Sequence, residues 1–300
     1  MAELVDETAQ KFLEKSGYNC LPLFSKEEIA ALKNLYDQHF GRVEVKGMFS
    51  NHSLGVSSTG LTIEISKKME AILGSSLKKK FKNFNFFLGA YISKQANLEE
   101  EFDLHQDWNI VNEQEKPSIQ IWIPLTEVTP ENGSLFVMQY SHRFYDNYRS
   151  GSFGVARLKT DKLIKPYITP LSLKPGECIV YYNSTFHGSY PNHTSDNRVV
   201  AIVNIVPDDT SAVYYELNKK ESRTDIYEVD AVSFLEGLES LEKGKIPASF
   251  KLTRSEALPA VVNDNITTAE LVSLYKKYAK QSSGLKSFFS GVRKFLSLSE

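Results

Sequence analysis

The sequence predicts a mainly β protein with flanking helices, its strands gathered into a double-sheet jelly roll. Several short apolar segments are separated by turn signals, the pattern of a sandwich or barrel rather than a helical bundle. One of them, residues 118–125, alternates cleanly: Ile119, Ile121, Ile123 and Leu125 share one face, Gln120 and Trp122 the other. The segment before about residue 45 carries helix signals instead.

Taken in order, an amphipathic helix is expected over about 6–15. A second follows Ser25-Lys-Glu-Glu28, which is a capping box with Phe24 and Ile29 placed as a hydrophobic staple. Ile29, Leu32, Leu35 and Tyr36 give it an apolar stripe, and both helices are expected to cover one face of a sheet. The part from about 45 to 207 is read as rich in strands: Phe84–Ile92 (Tyr91 and Asn85 pointing inwards), 118–125, Cys178–Tyr182 and Arg198–Val206. Pro130-Glu-Asn-Gly133 and Lys174-Pro-Gly176 mark turns between strands. Residues 208–300 mix charged turns with helical patterns. Thr267 or Thr268 is placed to cap a helix running to about Lys280. Beyond it, Leu285, Phe288, Phe289, Val292, Phe295 and Leu296 make an amphipathic segment, expected to pack on the core or in a homodimer. With no internal repeat and no low-complexity linker, residues 1–207 read as one domain of helical cover plus jelly-roll core. Residues 208–300 read as a partly helical C-terminal extension.

Composition narrows the function classes. At 300 residues, with 41% hydrophobic and 12% aromatic, the chain can build a sizeable core without staples. A formal net charge of -2 gives no global attraction to nucleic acid or to anionic membranes. Cys20 and Cys178 are too few for a disulfide framework. The first fifteen residues are mixed and acidic, and no stretch approaches the ~18 apolar residues of a membrane span. The expectation is a protein of the cytoplasm with no membrane span and no nucleic-acid partner.

The chemistry concentrates in two segments, His105-Gln-Asp107 and His187-Gly-Ser-Tyr-Pro-Asn-His-Thr-Ser-Asp-Asn-Arg198. Two histidines and one carboxylate are the ligand set of a non-haem Fe(II) site with open coordination positions. In an extended strand, His105 and Asp107 point to the same side while Gln106 points away. His187 follows a strand and supplies the third direction. Arg198 opens the next strand; if that strand neighbours the one before His187, a guanidinium lies near the metal, able to grip a carboxylate of a 2-oxo acid through two parallel hydrogen bonds. An H-x-D triplet alone is a weak signal, and it is the ordered set of H-x-D, distal histidine and arginine that raises it. Other histidines read differently: His142 as a loop stabiliser and His193 as solvent-exposed, while His39 and His52 have no partner the sequence reveals. The acidic run Glu99-Glu-Glu101 with Asp103 reads first as a solvated loop.

Residues of roughly 80–206 resemble the phytanoyl-CoA dioxygenase family of Fe(II)/2-oxoglutarate-dependent oxygenases. The stretches that carry the resemblance are His105-Gln-Asp107, Ser118–Thr126, Glu131–Val137, Ser141-His142, Lys174-Pro-Gly-Glu177, His187-Gly-Ser189 and Arg198. The resemblance implies a double-stranded β-helix core of the jelly-roll, cupin-like kind. It implies iron bound by His105, Asp107 and His187, and 2-oxoglutarate held by Arg198 with Ser189 and Trp122 assisting. It further implies decarboxylation of 2-oxoglutarate to succinate, with dioxygen as co-substrate and hydroxylation of an unactivated C–H bond in a small-molecule substrate. The resemblance does not name that substrate, nor exclude desaturation or cyclisation. Two other readings stay open on the residues: a non-catalytic cupin-like protein that binds a metal or small molecule, and an iron protein that uses no 2-oxo acid.

Overall fold

A computed structural model of the chain describes residues 1–42, 44, 59–257 and 266–281. The N-terminal signals act as read. After a two-residue strand β1 (Glu3–Leu4), Asp6 caps helix α1 (Glu7–Ser16) by accepting from the Thr8 and Ala9 amides, and Gly17 ends it at φ 85°. Strand β2 (Tyr18–Pro22) follows, and Ser25 opens helix α2 (Lys26–Phe40) with both halves of its capping box formed. Helix α3 (Thr59–Lys80) was not foreseen, because it lies in a part read as strand-rich. Its segment has no proline and sets Ile65, Met69, Leu73 and Leu77, all buried, four residues apart.

The core strands are β3 (Phe81–Lys82), β4 (Phe84–Lys94), β5 (Phe102–His105), β6 (Ile119–Pro124), β7 (Leu135–Val137), β8 (Thr169–Pro170), β9 (Glu177–Tyr182), β10 (His187–Ser189) and β11 (Arg198–Pro207). Apart from β3, which pairs with β1, they form with β2 a five-stranded sheet, β2-β9-β6-β11-β4, and a four-stranded sheet, β5-β10-β7-β8. Every named pairing in the two sheets is antiparallel. The fold is mainly β with flanking helices, and its core is a jelly roll.

Strand alternation partitions the larger sheet. Ile119, Ile121 and Ile123 of β6, Val180 of β9 and Ala201, Val203 and Ile205 of β11 pack against α2 and α3 in a fully apolar cluster. The opposite face carries Gln120, Trp122, Tyr181, Ile202 and Asn204 and looks into the space between the sheets. Tyr91 is not on that inner face: it packs on the helix side, and its hydroxyl donates to Leu32 O at 2.6 Å. Asn85 is exposed. A bulge in β4, where pairing with β11 shifts between Asn204 and Ile205, resets the alternation that Asn85 was read from. β11 also does not neighbour β9, because β6 lies between them.

The C-terminal part forms a three-stranded antiparallel sheet of β12 (Ala212–Asn218), β13 (Arg223–Val229) and β14 (Lys251–Ala257), with helix α4 (Ala231–Glu242) between the last two strands. Phe234 and Leu235 of α4 join the inner-face cluster. Thr267 caps helix α5 (Thr268–Gln281) in a reciprocal box with Glu270. Leu271, Val272 and Tyr275 of α5 pack with Tyr140, Ile164 and Phe186. The amphipathic segment at 285–296 lies outside the described residues, as does His52. Among the described residues, no helix is long and apolar enough to cross a membrane.

The short strand β10 is held at close quarters. A Cβ on Gly188 would come within 2.5 Å of the Phe102 carbonyl oxygen and of the Phe136 ring. Gly188→Ala is therefore expected to push β10 away from β5 and destabilise the fold by roughly 1–3 kcal/mol. Thermal unfolding should show the loss. An unchanged melting temperature would mean that the strand gives way freely.

Candidate metal centre

The centre starts from one register pair. His187 of β10 stands opposite His105 of β5, and the two imidazole centroids lie 4.4 Å apart. Each ring is hooked by its own strand: His105 Nδ1 lies 2.8 Å from Asp103 O, and His187 Nδ1 lies 3.0 Å from Thr185 O. A carbonyl can only accept, so Nδ1 carries the proton in both rings and each Nε2 presents its lone pair. Asp107 sits just past the end of β5, its amide donating to Asn183 O at 3.0 Å. Its carboxylate oxygens lie 3.9 Å from His105 Nε2 and 3.7 Å from His187 Nε2. The three donors lie within 4.8 Å of one another. Two neutral imidazole nitrogens and one carboxylate, gathered on one side, suit a divalent transition metal with open positions. Gln106 turns away, donating to the carbonyls of Tyr145 and Ser184.

Electrostatics of the metal-free centre agree with that donor set. Burial, then the neighbouring His187, holds His105 well below the ordinary imidazole range, so its lone pair is free at neutral pH. Burial pushes the Asp107 carboxyl up, although 26% of the side chain meets solvent. His187 and Arg149 oppose that rise.

Behind these residues stands a shell the sequence reading did not anticipate. Gln120 Nε2 donates to Asp107 Oδ2 at 3.1 Å and to the Tyr181 hydroxyl. Tyr181 Oη lies 3.3 Å from His187 Nε2. Because Gln120 turns its amide nitrogen to the carboxylate, its Oε1 is left to accept from Asn204 Nδ2 at 2.7 Å. The β6 alternation had already put Gln120 on the inner face, and Tyr181 shares that face on β9. Arg149, fully buried, donates through Nε to Asp107 O at 2.6 Å and pairs with Glu113. Nothing local in the sequence announces that link, since 42 residues separate Arg149 from Asp107.

Arg198 is 4% exposed, and its guanidinium lies over the Trp122 ring at 5.3 Å. Its Nε and Nη1 are buried without a hydrogen-bond partner. Burial lowers its pKa to about 9. In register with it on β4 is Lys94, also fully buried. Lys94 Nζ donates to Ser189 Oγ at 2.8 Å and to the carbonyls of Ser189 and Tyr190. Ser189 is thus tied to Lys94, two residues from His187. Lys94 was missed because the strand was read as ending at Ile92, and only the β4–β11 pairing brings it beside Arg198. Arg198, with unmet N–H donors at about 1–3 kcal/mol each, beside a buried lysine whose own donors are filled, forms a ready-made anion site.

A cavity of about 520 Å3 opens from the centre, lined by His105, Asp107 and Gln120 and by apolar groups of β4, β11 and α4. Of the other histidines, His142 Nε2 lies 2.9 Å from Glu14 O and buttresses α1, whereas His193 is exposed beside Glu99.

The comparisons with known proteins bear on this arrangement. The family model for phytanoyl-CoA dioxygenase matches residues 33–200, more than half of the chain, and the match spans the triad and Arg198. The chain belongs to this family. It is similar to a Dictyostelium discoideum protein described as phytanoyl-CoA dioxygenase domain-containing protein 1 homolog, with 26% identity over 140 residues, 44% of this chain. The chain spans about half (50%) of the length of that relative. Among solved structures, the epimerase SnoN in complex with Fe3+, alpha ketoglutarate and nogalamycin RO superposes with a TM-score of 0.52 at 15% identity, covering 85% of this chain and 95% of that one. EvdO2 from Micromonospora carbonacea var. aurantiaca, complexed with 2-oxoglutarate, gives a TM-score of 0.47 at 20% identity over 69% of this chain and 93% of that one. At these identities the SnoN likeness speaks for the fold.

Lys94 provides a pH test of the anion site. Burial first, then the Arg198 charge, lowers its pKa from 10.5 to about 7. Between those values the unfolded chain binds more protons than the folded one, so metal-free stability rises with pH across that interval. Melting temperatures over a pH series should show the rise, and Lys94→Met should flatten it. An identical rise in the variant would assign it to other groups.

Proposed function

We propose that the protein is an Fe(II)/2-oxoglutarate-dependent dioxygenase that hydroxylates an unactivated C–H bond of a small organic substrate. The observation that carries the reading is the pairing of the His105–Asp107–His187 triad with a buried, unsatisfied Arg198 in one jelly roll. A metal-binding barrel needs the triad but has no use for an arginine buried without a partner, whereas a dicarboxylate cosubstrate does. Family membership supports the same chemistry.

On this reading His105 and His187 hold the iron through Nε2, with the Nδ1 bonds to Asp103 O and Thr185 O fixing each ring. Asp107 supplies the carboxylate, oriented by Gln120. Arg198 receives the distal carboxylate of 2-oxoglutarate over the face of Trp122, and Lys94 adds a second positive charge while holding Ser189 in place. Iron and 2-oxoglutarate held there would supply the activation of dioxygen, with succinate and CO2 as co-products of substrate oxidation. The protein supplies ligands, orientation and exclusion of water. Asp107 occupies the position a halide would need, which favours hydroxylation over halogenation.

His187→Ala is expected to abolish succinate formation and weaken Fe(II) binding while the fold survives; full activity of this variant under limiting iron would remove the metal assignment. Arg198→Ala is expected to weaken 2-oxoglutarate binding roughly a hundredfold, with Fe(II) affinity nearly unchanged and only partial rescue by lysine. Calorimetric titration under anaerobic conditions measures both. If the protein binds iron but neither binds nor turns over 2-oxoglutarate, it is the metal-binding module instead.

A further inference from the structure

One charge on the cavity wall has no part in holding the metal or its cosubstrate. Arg157 lies on residues 155–158, which run beside β5 without forming a named strand. Leu104 N donates to Leu158 O and Leu158 N to Leu104 O, both at 2.9 Å. That antiparallel bridge imposes period-two alternation on the segment. Ala156 and Leu158 point into an apolar cluster with Leu104 and Phe136, while Val155 and Arg157 line the cavity. The arginine is therefore on the cavity side of a sheet edge, at the rim, where the residue is exposed to solvent.

Its guanidinium lies 5.3 Å above the Phe102 ring, and that ring lies 4.3 Å from the His105 ring. Two ring contacts thus connect Arg157 to the metal centre. Glu99 pairs with His193 and Glu113 with Arg149. Among the described residues, no carboxylate lies within ion-pair distance of Arg157. Apart from the triad, the wall is neutral, its polar groups amides and its bulk apolar, including Trp108, Ile110, Ile202 and Phe234. A cavity of about 520 Å3 lined this way accepts a molecule of drug size with an apolar body. The forked, planar guanidinium suits a carboxylate or phosphate.

We propose that Arg157 anchors the anionic head group, carboxylate or phosphate, of the primary substrate, whose apolar body lies along the cavity wall towards His105 and Asp107. The proposal rests on the reading that this cavity is the substrate chamber of an Fe(II)/2-oxoglutarate enzyme.

The test uses four probes with one tail: decanoate, decyl phosphate, decanol and decylammonium. Trp108 lines the cavity, so tryptophan fluorescence reports binding. The full chain is titrated with Fe(II) and with saturating 2-oxoglutarate to fill the proposed Arg198 site, under anaerobic conditions that prevent turnover, and again free of metal. At least one anion is expected to bind about tenfold more tightly than decanol; the tighter of the two anions identifies the head group. That preference should vanish in Arg157→Ala, survive in part in Arg157→Lys and turn towards decylammonium in Arg157→Glu, with 2-oxoglutarate titrations of the variants unchanged. Equal affinity for the four probes, no binding of either anion, or an anion preference that persists in Arg157→Ala overturns the proposal. A protein that binds the anions through Arg157 but never binds 2-oxoglutarate would overturn the enzyme reading and leave the anchor standing.

Discussion

The arrangement depends on one backbone pairing, His187 opposite His105 in the antiparallel ladder of β10 and β5. Side chains directly opposite in such a ladder lie within about 5 Å of each other and on the same face. The ladder thus sets two imidazoles side by side before any other residue acts. Each strand then orients its own ring by the same device, a carbonyl two residues earlier accepting from Nδ1. This leaves only the carboxylate to be positioned by other elements. β6 contributes Gln120 to its oxygen, and the buried Arg149 grips its main-chain carbonyl. The absence of a side chain at Gly188 is what lets β10 approach the Phe102 carbonyl so closely.

Two pairs of buried charges near the centre are handled in opposite ways. Arg149 and Glu113 neutralise each other, and the remaining donors of Arg149 go to the carbonyls of Asp107 and Asn147. That pair is a brace, closed on itself, and removing one partner would leave an uncompensated buried charge. Arg198 and Lys94 are like charges side by side: burial lowers the pKa of both, and the Arg198 charge lowers that of Lys94 further. The fold leaves the cost of these shifts unrelieved, as expected of a site built for an anionic ligand rather than for stability alone.

The legible parts of the sequence were those governed by local rules. The capping box at Ser25 and Glu28, the alternation of 118–125 and the apolar strands before His187 and after Arg198 all depend on near neighbours, and all appear in the fold. The triad and Arg198 stood out because their residue types are rare together, and the fold brings the His105, Asp107 and His187 side chains to one point. What stayed hidden depends on pairing between distant segments. Lys94 gains its meaning from its register with Arg198, Arg149 from a contact 42 residues away, and Arg157 from an isolated bridge. Tyr91 and Asn85 were read as sharing one face, but a bulge in β4 between them puts them on opposite faces, Tyr91 on the helix side, a change no local pattern reveals. The expected adjacency of β9 and β11 failed for a related reason: strands close in sequence were assumed to pair, whereas a jelly roll inserts β6 between them.

The division between shared chemistry and individual substrate choice follows the chain itself. The family match ends at residue 200, just after Arg198, so the ligands, their braces and the anion site all fall inside it. Most of the cavity wall, Arg157 included, falls inside it too, but one part does not. Ile202 and Asn204 lie beyond the match on β11, and Phe234 and Leu238 come from α4, far past it. The three-stranded sheet before and after α4 carries that helix to the mouth between the jelly-roll sheets, where Phe234 packs on Phe87 at 5.5 Å between ring centroids. Residues that must satisfy iron and a dicarboxylate are held to few solutions by coordination and charge. Apolar walls need only the right volume and shape, so Ile202, Phe234 and Leu238 can change without disturbing the triad, whereas Asn204 is tied to it through Gln120.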